Sequence, residues 1–399
     1  MRVAIIADSH FDECSRFDEC VRVHNWIADD MRERRVDLVL HAGDVYERKS
    51  TPVERAAVSA WVQLVADFAP LVIVRGNHDA PRDLELLAKL DSCFPVIVEE
   101  RAGVHMVEPW REYPARRVAV GCLAWPTKSS VLALSKDRVL SHAEGELIAG
   151  DALRAVLRGL GQQMHEHVGP KILLAHAMVR GSKVSTGQPL VGCDLEVGLE
   201  DLDLAGADFV AIGHIHMPQG WYAPQHHPLE SAGASVVYPG SPRRTAFGEV
   251  EQKGYVIVDF DERGGATYER IPTPCAPMVL LEAAWCGDIF EGGRLLTEAE
   301  REGAEVRFRY TVPADDRVAA AAAAERVKAE LLELGAVDVK LEERVLPHST
   351  ARAPEVASAP TLADKLAVLW RARNTTPEPE RALELVDKAS LLEAEEHAA

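Results

Sequence analysis

Phe209-Val210-Ala211-Ile212-Gly213-His214-Ile215-His216 opens as a short apolar run and closes on two histidines one residue apart. A run of this length, rich in branched side chains and stopped by glycine, reads as a buried strand. The same plan recurs upstream. Val3 to Ala7 leads into Asp8-Ser9-His10, and Leu38-Val39-Leu40 leads into His41-Ala42-Gly43-Asp44. Leu71 to Val74 runs into Arg75-Gly76-Asn77-His78-Asp79, and Ile172 to Ala175 ends at His176. Polar clusters that each follow a strand converge if the strands share a direction, because open α/β sheets collect ligands at the carboxyl ends of their strands.

The segments between these runs read as helices and loops. Val23, Trp26, Ile27 and Met31 fall at helical spacing. Thr51, Pro52 and Glu54 supply an N-cap, a first-turn proline and a capping-box carboxylate. The buried stripe expected behind that start is Val53, Ala57, Ala60, Trp61, Leu64 and Phe68. Arg180 to Gly198, rich in Gly, Ser and polar residues, reads as a loop at the site. Past Pro239-Gly240-Ser241-Pro242, Gly254 to Phe260 reads as a strand closing the sheet.

The clustered residue types, carboxylate, amide and imidazole, suit a two-metal site with mixed oxygen and nitrogen ligands. Asp44 carries two carboxylate oxygens and can bridge ions about 3.5–4 Å apart. Asp8, His10 and His216 then complete one ion, and Asn77, His176 and His214 the other. Such a pair activates water near neutral pH and offsets the charge that develops during in-line displacement at phosphorus. His78 adjoins Asn77 without being needed as a ligand. It is the expected proton donor to the leaving oxygen, a role worth ~10²–10⁴-fold.

An isolated Asp-x-His recurs by chance. Gly-Asn-His-Asp and Gly-His-Ile-His say more, and the five clusters in order carry the inference. Other histidines read differently: His165 and His167 lie at a polar helix end, and His226 and His227 in a proline-flanked surface loop. The run Ala319 to Ala324 reflects helix propensity. A Walker-type GxxxxGK[ST] does not occur in the sequence, so ATP binding through a P-loop is not expected.

Composition narrows the class. At 399 residues, with 47% hydrophobic and 27% charged residues, the chain is expected to be globular and to hold more than one domain. Its apolar runs are strand-sized, short of the roughly 18 residues of a membrane span, and the N-terminal run is too short for a signal peptide. The seven cysteines show no CxxC spacing and read as reduced thiols of a cytoplasmic protein. The net charge of -19 opposes nucleic-acid binding at long range, unless metal ions neutralise the carboxylates or a partner supplies basic surface.

Beyond a proline-rich break at Pro272 to Pro277 the pattern changes. Met278 to Ala284 is strand-like, Val306, Phe308, Tyr310 and Val312 alternate, Ala319 to Leu334 is helical and Val337 to Val345 is a strand. The expected organisation is a catalytic domain over 1–275, a small α+β domain over 276–346, a Pro/Ala/Ser linker over 347–361 and a helical hairpin over 362–396. In the hairpin Leu362, Leu366, Leu369 and Trp370 share one face, and Ala382, Leu385, Val386 and Ala389 share another. Two helices of this size cannot bury their own stripes, so the hairpin is expected to dock elsewhere.

These clusters resemble the calcineurin-like metallophosphoesterases, whose pattern is Asp-x-His, Gly-Asp, Gly-Asn-His-Asp/Glu, His and Gly-His-x-His. Gly43-Asp44-Val45-Tyr46 with Pro52, Ala175-His176-Ala177, Ala211 to Gln219, Tyr238 to Pro242 and Phe247-Gly248-Glu249 are similar to the SbcD branch. The resemblance covers about residues 1 to 275, and beyond them it is one of architecture. It implies an α/β (α+β) four-layer sandwich of two mixed sheets flanked by helices. It also implies two divalent ions, commonly Mn2+, and hydrolysis of DNA phosphodiesters by 3′-5′ exonuclease and endonuclease action in double-strand break repair and recombination. The implied partners are double-stranded DNA ends, an SbcC-like coiled-coil ATPase docked by the hairpin, and a second copy in a homodimer. The small domain would cap DNA. Glu47 departs from relatives that carry histidine there.

Two competing expectations remain. A metallophosphodiesterase or phosphatase acting on small molecules or phosphoproteins uses the same core, although Gly43 to Arg48 lacks the Gly-Asp-x-x-Asp-Arg-Gly run of protein phosphatases. A non-enzymatic scaffold predicts missing ligands, and all seven are present in the sequence.

Overall fold

The computed structural model describes residues 1–108, 117–129, 142–186, 188, 195–222, 235–261, 265–294, 296–346, 354–375 and 377–396. His226 and His227, Cys193, and parts of the Arg180–Gly198 loop and of the linker lie outside them.

The chain begins with β1 (Arg2–Ile6), α1 (Phe17–Glu33), β2 (Leu38–His41), α2 (Pro52–Ala66), β3 (Leu71–Val74) and β4 (Val96–Glu99). There follow β5 (Ala102–Val107), β6 (Val118–Leu123), α3 (His142–Met164), β7 (Lys171–His176), β8 (Met178–Val179) and β9 (Glu196–Val197). Next come α4 (Leu199–Leu202), β10 (Phe209–Gly213), β11 (Gln219–Tyr222), β12 (Ser235–Tyr238), β13 (Gly254–Phe260) and β14 (Ala266–Pro272).

Two six-stranded mixed sheets result, ordered β14-β13-β1-β2-β3-β4 and β11-β12-β10-β7-β6-β5. In the first, β1 to β4 form a parallel block that ends at the β4 edge, and on its other side β13 pairs antiparallel to β1. In the second sheet β12, β10, β7 and β6 are parallel, with β11 and β5 antiparallel at the edges. The parallel strands are apolar on both faces because both faces are covered. Val3, Ile5, Leu38, Leu40, Val72 and Val74 meet Val118, Val120, Ile172, Leu174 and Phe209 between the sheets. The opposite faces pack on α1 and α2 in the first sheet and on α3 in the second. Helix, sheet, sheet and helix make the expected four layers.

Register then positions the strand ends. Ile6 pairs with His41 and Gly213 with His176, so the polar clusters that follow β1, β2, β7 and β10 emerge at matching heights. The capping box at Thr51 forms as read: its side chain accepts from Glu54 N at 3.3 Å, and Glu54 Oε2 accepts from Thr51 N at 2.8 Å.

The buried face of α2 differs from the expected stripe. Val58, Trp61, Val62, Val65 and Ala66 point inward, whereas Val53, Ala60 and Leu64 are exposed. The helix has two apolar arcs, and β3 and α1 cover the one that keeps an unbroken i, i+3, i+4, i+7 series. On α1, Val23, Ile27 and Met31 are buried as read, while Trp26 lies at the edge of the face and is exposed.

Further on lie β15 (Met278–Trp285), β16 (Phe290–Glu291), α5 (Glu298–Arg301), β17 (Glu305–Pro313), α6 (Arg317–Glu333) and β18 (Asp338–Leu346). Val306, Phe308, Tyr310 and Val312 are buried in alternation along β17. The chain closes with α7 (Pro354–Ala357), α8 (Leu362–Arg373) and α9 (Pro379–Glu396). One compact unit comprises Met1–Leu281, Arg294–Phe308 and Lys328–Lys340; another comprises Glu282–Gly293, Arg309–Val327 and the described residues from Leu341 onward. No side chain of α8 is fully buried. Among the described residues no helix is long and apolar enough to cross a membrane.

Candidate metal centre

Asp8 and His10 follow β1, Asp44 follows β2, and Asn77 and His78 follow β3, all from the first sheet. His176 ends β7, and His214 and His216 follow β10, from the second sheet. Asp8, His10 and Asp44 all have left-handed backbones, with φ of 53°, 45° and 55°. Non-glycine residues adopt this region at a cost of about 1–3 kcal/mol, and they persist where the surroundings over-determine them. Here Asp8 N donates to Gly43 O at 3.0 Å and His10 N to Asp44 O at 3.1 Å, lacing the two loops together.

The donor atoms form overlapping triads: Asp8, His10 and His216; His10, Asp44 and His78; Asp44, His176 and His214. Within each, the atoms lie within 4.8 Å of one another. His10 Nε2 faces His216 Nε2 at 3.0 Å, and Asp44 Oδ2 lies 3.8 Å from His10 Nε2 and 3.3 Å from His176 Nε2. Asn77 Oδ1 lies 2.9 Å from His176 Nε2 and 3.0 Å from His214 Nδ1.

The fit to cations follows from proton bookkeeping. His176 Nδ1 donates to the Ala42 carbonyl at 2.7 Å, so in the neutral ring Nε2 carries a lone pair. That lone pair faces two further oxygens, Asp44 Oδ2 and Asn77 Oδ1. Three converging acceptors need a positive centre between them. Burial alone would lower His176, but the adjoining Asp44 carboxylate outweighs it and the ring is held up at about 9, so without a cation a proton on Nε2 takes the position a metal ion would fill. Asp44 shows the converse: burial opposes its charge, yet His176, His10 and His78 hold its carboxyl well below the usual range. Buried Asp8 uses Oδ1 to accept from His214 N at 2.8 Å, while Oδ2 has no hydrogen-bond partner among the described residues. The residues present thus fit two divalent ions.

Glycines make the approach possible. A Cβ on Gly76 would sit 2.1 Å from Asp44 Oδ1, and one on Gly213 2.1 Å from Ala42 O.

Outer residues orient these side chains. Glu47 Oε2 lies 2.7 Å from His10 Nδ1, and the Glu47 carbonyl accepts from His78 Nδ1 at 2.8 Å. Asp79 accepts from the backbone of Asp44, Gly76 and Tyr46 at 2.9–3.0 Å, and its burial pushes its carboxyl up to about 6. His216 Nδ1 meets Thr245 Oγ1 at 3.1 Å. Glu249, which also faces His216, has a buried ion pair with Lys253 at 3.0 Å. Gln188 accepts from His216 N at 3.1 Å and donates to His214 O at 2.5 Å. Trp125 packs against His214 with ring centroids 4.7 Å apart and planes inclined at 38°.

Sequence reasoning placed Asp79 in a polar cluster, Gln188 inside a loop read as lying at the site and Glu249 inside a motif of the resemblance, without giving any of them a role; Thr245 and Trp125 it did not name. A cavity of about 200 Å³ opens onto His10, Asp44, Asn77, His78, His214 and His216. His167 lies apart, bonded to the Arg117 carbonyl at 2.8 Å, and His165 is exposed.

The calcineurin-like phosphoesterase superfamily domain matches residues 1–263. The SbcD component of the SbcCD nuclease of Bacillus subtilis is 26% identical over 294 residues, 68% of this chain and 69% of that protein. The Escherichia coli K12 protein of the same name is 24% identical, covering 71% of each chain. The DNA double-strand break repair protein Mre11 of Methanopyrus kandleri is 24% identical over 68% of this chain, which spans just over half (56%) of that protein. With about two-thirds of its length under the superfamily profile and the donor set gathered at one rim, the chain belongs to the calcineurin-like phosphoesterases.

Proposed function

We propose that this chain is a two-metal nuclease that hydrolyses phosphodiester bonds at double-stranded DNA ends. The carrying observation is the set of interlocking donor triads that share Asp44 and His10. Asp8, His10 and His216 would hold one ion and Asn77, His176 and His214 the second, with Asp44 placed between the two sets. When bound, such ions, most simply Mn2+, clamp phosphate oxygens and supply an activated water.

The chain's own residues do the rest. Glu47 fixes the ring of His10, and Thr245 that of His216, leaving each Nε2 turned to the site. His78 has Nδ1 committed to the Glu47 carbonyl, so its Nε2 is the atom that holds or releases a proton at the leaving oxygen. Trp125 and the buried walls exclude water behind His214 and His176.

The similarity to SbcD and Mre11 proteins supports DNA as substrate and an SbcC-like coiled-coil ATPase as partner. Helices α8 and α9, with no fully buried side chain in α8, are the docking element. The module from 276 to 346 caps DNA, and a homodimer is the working assembly. A basic partner surface and the bound ions offset the net charge of -19.

The test measures bound metal in the purified chain, then cleavage of linear duplex DNA with Mn2+, with and without such an ATPase. Two ions per chain and Mn2+-dependent cleavage are expected. Hydrolysis of phosphopeptides or small phosphodiesters with intact DNA would move the assignment to a phosphatase; no bound metal would overturn it.

A further inference from the structure

Beneath the metal-binding rim runs a chain of polar groups that no ligand assignment uses. Ser9, His24 and His41 are each fully buried. Ser9 Oγ lies 2.8 Å from His41 Nε2 and 2.8 Å from His24 Nε2. The ends of the chain determine where its protons sit. Gly43 N donates to His41 Nδ1 at 3.2 Å, so that nitrogen carries the lone pair and Nε2 carries the hydrogen. At the other end His24 Nδ1 meets the Cys20 carbonyl at 2.7 Å; a carbonyl only accepts, so Nδ1 carries the hydrogen and Nε2 the lone pair. The Ser9 hydroxyl therefore accepts from His41 and donates to His24. This is a single consistent arrangement with every buried group satisfied, assigned from the hydrogen-bond network.

Its placement gives it a task. Ser9 is the residue between Asp8 and His10, both in the left-handed region. His41 is two residues before Gly43 and three before Asp44, whose φ values are 90° and 55°. His24 and Cys20 lie on α1, and the Cys20 thiol also donates to the Ser9 carbonyl at 3.6 Å. The chain thus ties both strained loops to one helix. His24 is itself wedged between Phe11, with ring centroids 4.4 Å apart, and Trp61 at 5.6 Å.

We infer that Ser9 is a positioning residue for the metal centre: through His41 and His24 it holds the Asp8-His10 and Gly43-Asp44 loops in the strained conformation that aims their side chains at the ions. The inference rests on the metal-centre reading above. Local strain persists only where the surroundings fix it, and groups that orient metal ligands typically alter affinity by about 10–100-fold when removed. Ser9→Ala leaves the ligands in place, yet strands a donor on His41 and an acceptor on His24.

The experiment uses the full chain labelled with 15N-histidine. Metal-free wild type should show His41 as the Nε2–H tautomer and His24 as the Nδ1–H tautomer in long-range 1H–15N correlation. Ser9→Ala and His24→Phe should each weaken Mn2+ binding by about 10–100-fold in calorimetry. The double variant should lose little more than either, because both break one chain. Val23→Ala, a cavity on the same helix, should lower the melting temperature without changing affinity. Opposite tautomers, affinity of Ser9→Ala within twofold of wild type, or fully additive losses would overturn the inference while leaving the metal centre standing. Wild type that binds no divalent ion would overturn both.

Discussion

Glu47 touches His10 and His78 through different atoms: its carboxylate lies 2.7 Å from Nδ1 of His10, and its carbonyl accepts from Nδ1 of His78 at 2.8 Å. One residue thus contacts both a proposed metal ligand and the proposed acid. Glu47→Ala removes the first contact and the longer approach of the carboxylate to His78 Nδ1 at 3.7 Å, while the carbonyl that holds His78 remains. It should weaken Mn2+ binding by about 10–100-fold, read by calorimetry, with Glu47→Gln between it and wild type. Unchanged affinity in Glu47→Ala would show that His10 needs no such support.

His78→Ala separates chemistry from metal binding. Bound metal should stay at the wild-type level while kcat falls by ~10²–10⁴. If metal content fell and the rate per bound ion stayed normal, His78 would be a ligand and not the acid.

Gly76 and Gly213 admit no side chain. In Gly76→Ala the new carbon would meet Asp44 Oδ1 at 2.1 Å, and in Gly213→Ala it would meet the Ala42 carbonyl at 2.1 Å. Overpacking of this kind costs about 1–3 kcal/mol or more. Both variants should unfold at lower denaturant and lose metal affinity. A variant with wild-type stability and affinity would contradict the packing described.

Acid should destabilise the fold through His24 and His41. Both are pushed down from 6.5 to about 3 by burial. Between those values the unfolded chain binds more protons than the folded one, so stability rises with pH. Their contribution is complete above pH 6.5 and is lost as pH falls towards 3, at up to about 1.4 kcal/mol per pH unit for each ring. Urea unfolding at several pH values should show this slope, and His24→Phe should reduce it by one proton. An unchanged slope in that variant would mean that His24 is already charged in the fold.

Much of this architecture could be read from the sequence because strand ends there alternate an apolar run with a polar cluster. Val3 to His10 and Phe209 to His216 each state a buried strand and a group that must leave it. Loops carry no such periodicity. Arg180 to Gly198 reads as a loop at the site and Phe247-Gly248-Glu249 as part of the resemblance, yet no local pattern marks Gln188, Thr245 or Glu249 as the residues that reach His214 and His216, and Trp125 reads locally as any apolar residue after a strand. The expected stripe on α2 holds at Trp61 and Phe68 and fails elsewhere for another reason. Val53, Ala60 and Leu64 are apolar without being covered, and only the packing partner decides between two adjacent arcs. Ser9, His24 and His41 were invisible as a unit, because their bonding spans separations of 15 and 32 residues.

Four of the proposed ligands leave one sheet and three leave the other, above an interlayer that holds a large apolar cluster. Cations held between them would stitch the sandwich along that seam, where no disulfide between the described cysteines does so. Chelation should then loosen this end first. Amide exchange would quicken at the tips of β1, β2, β7 and β10 while the far ends of the same strands stay protected.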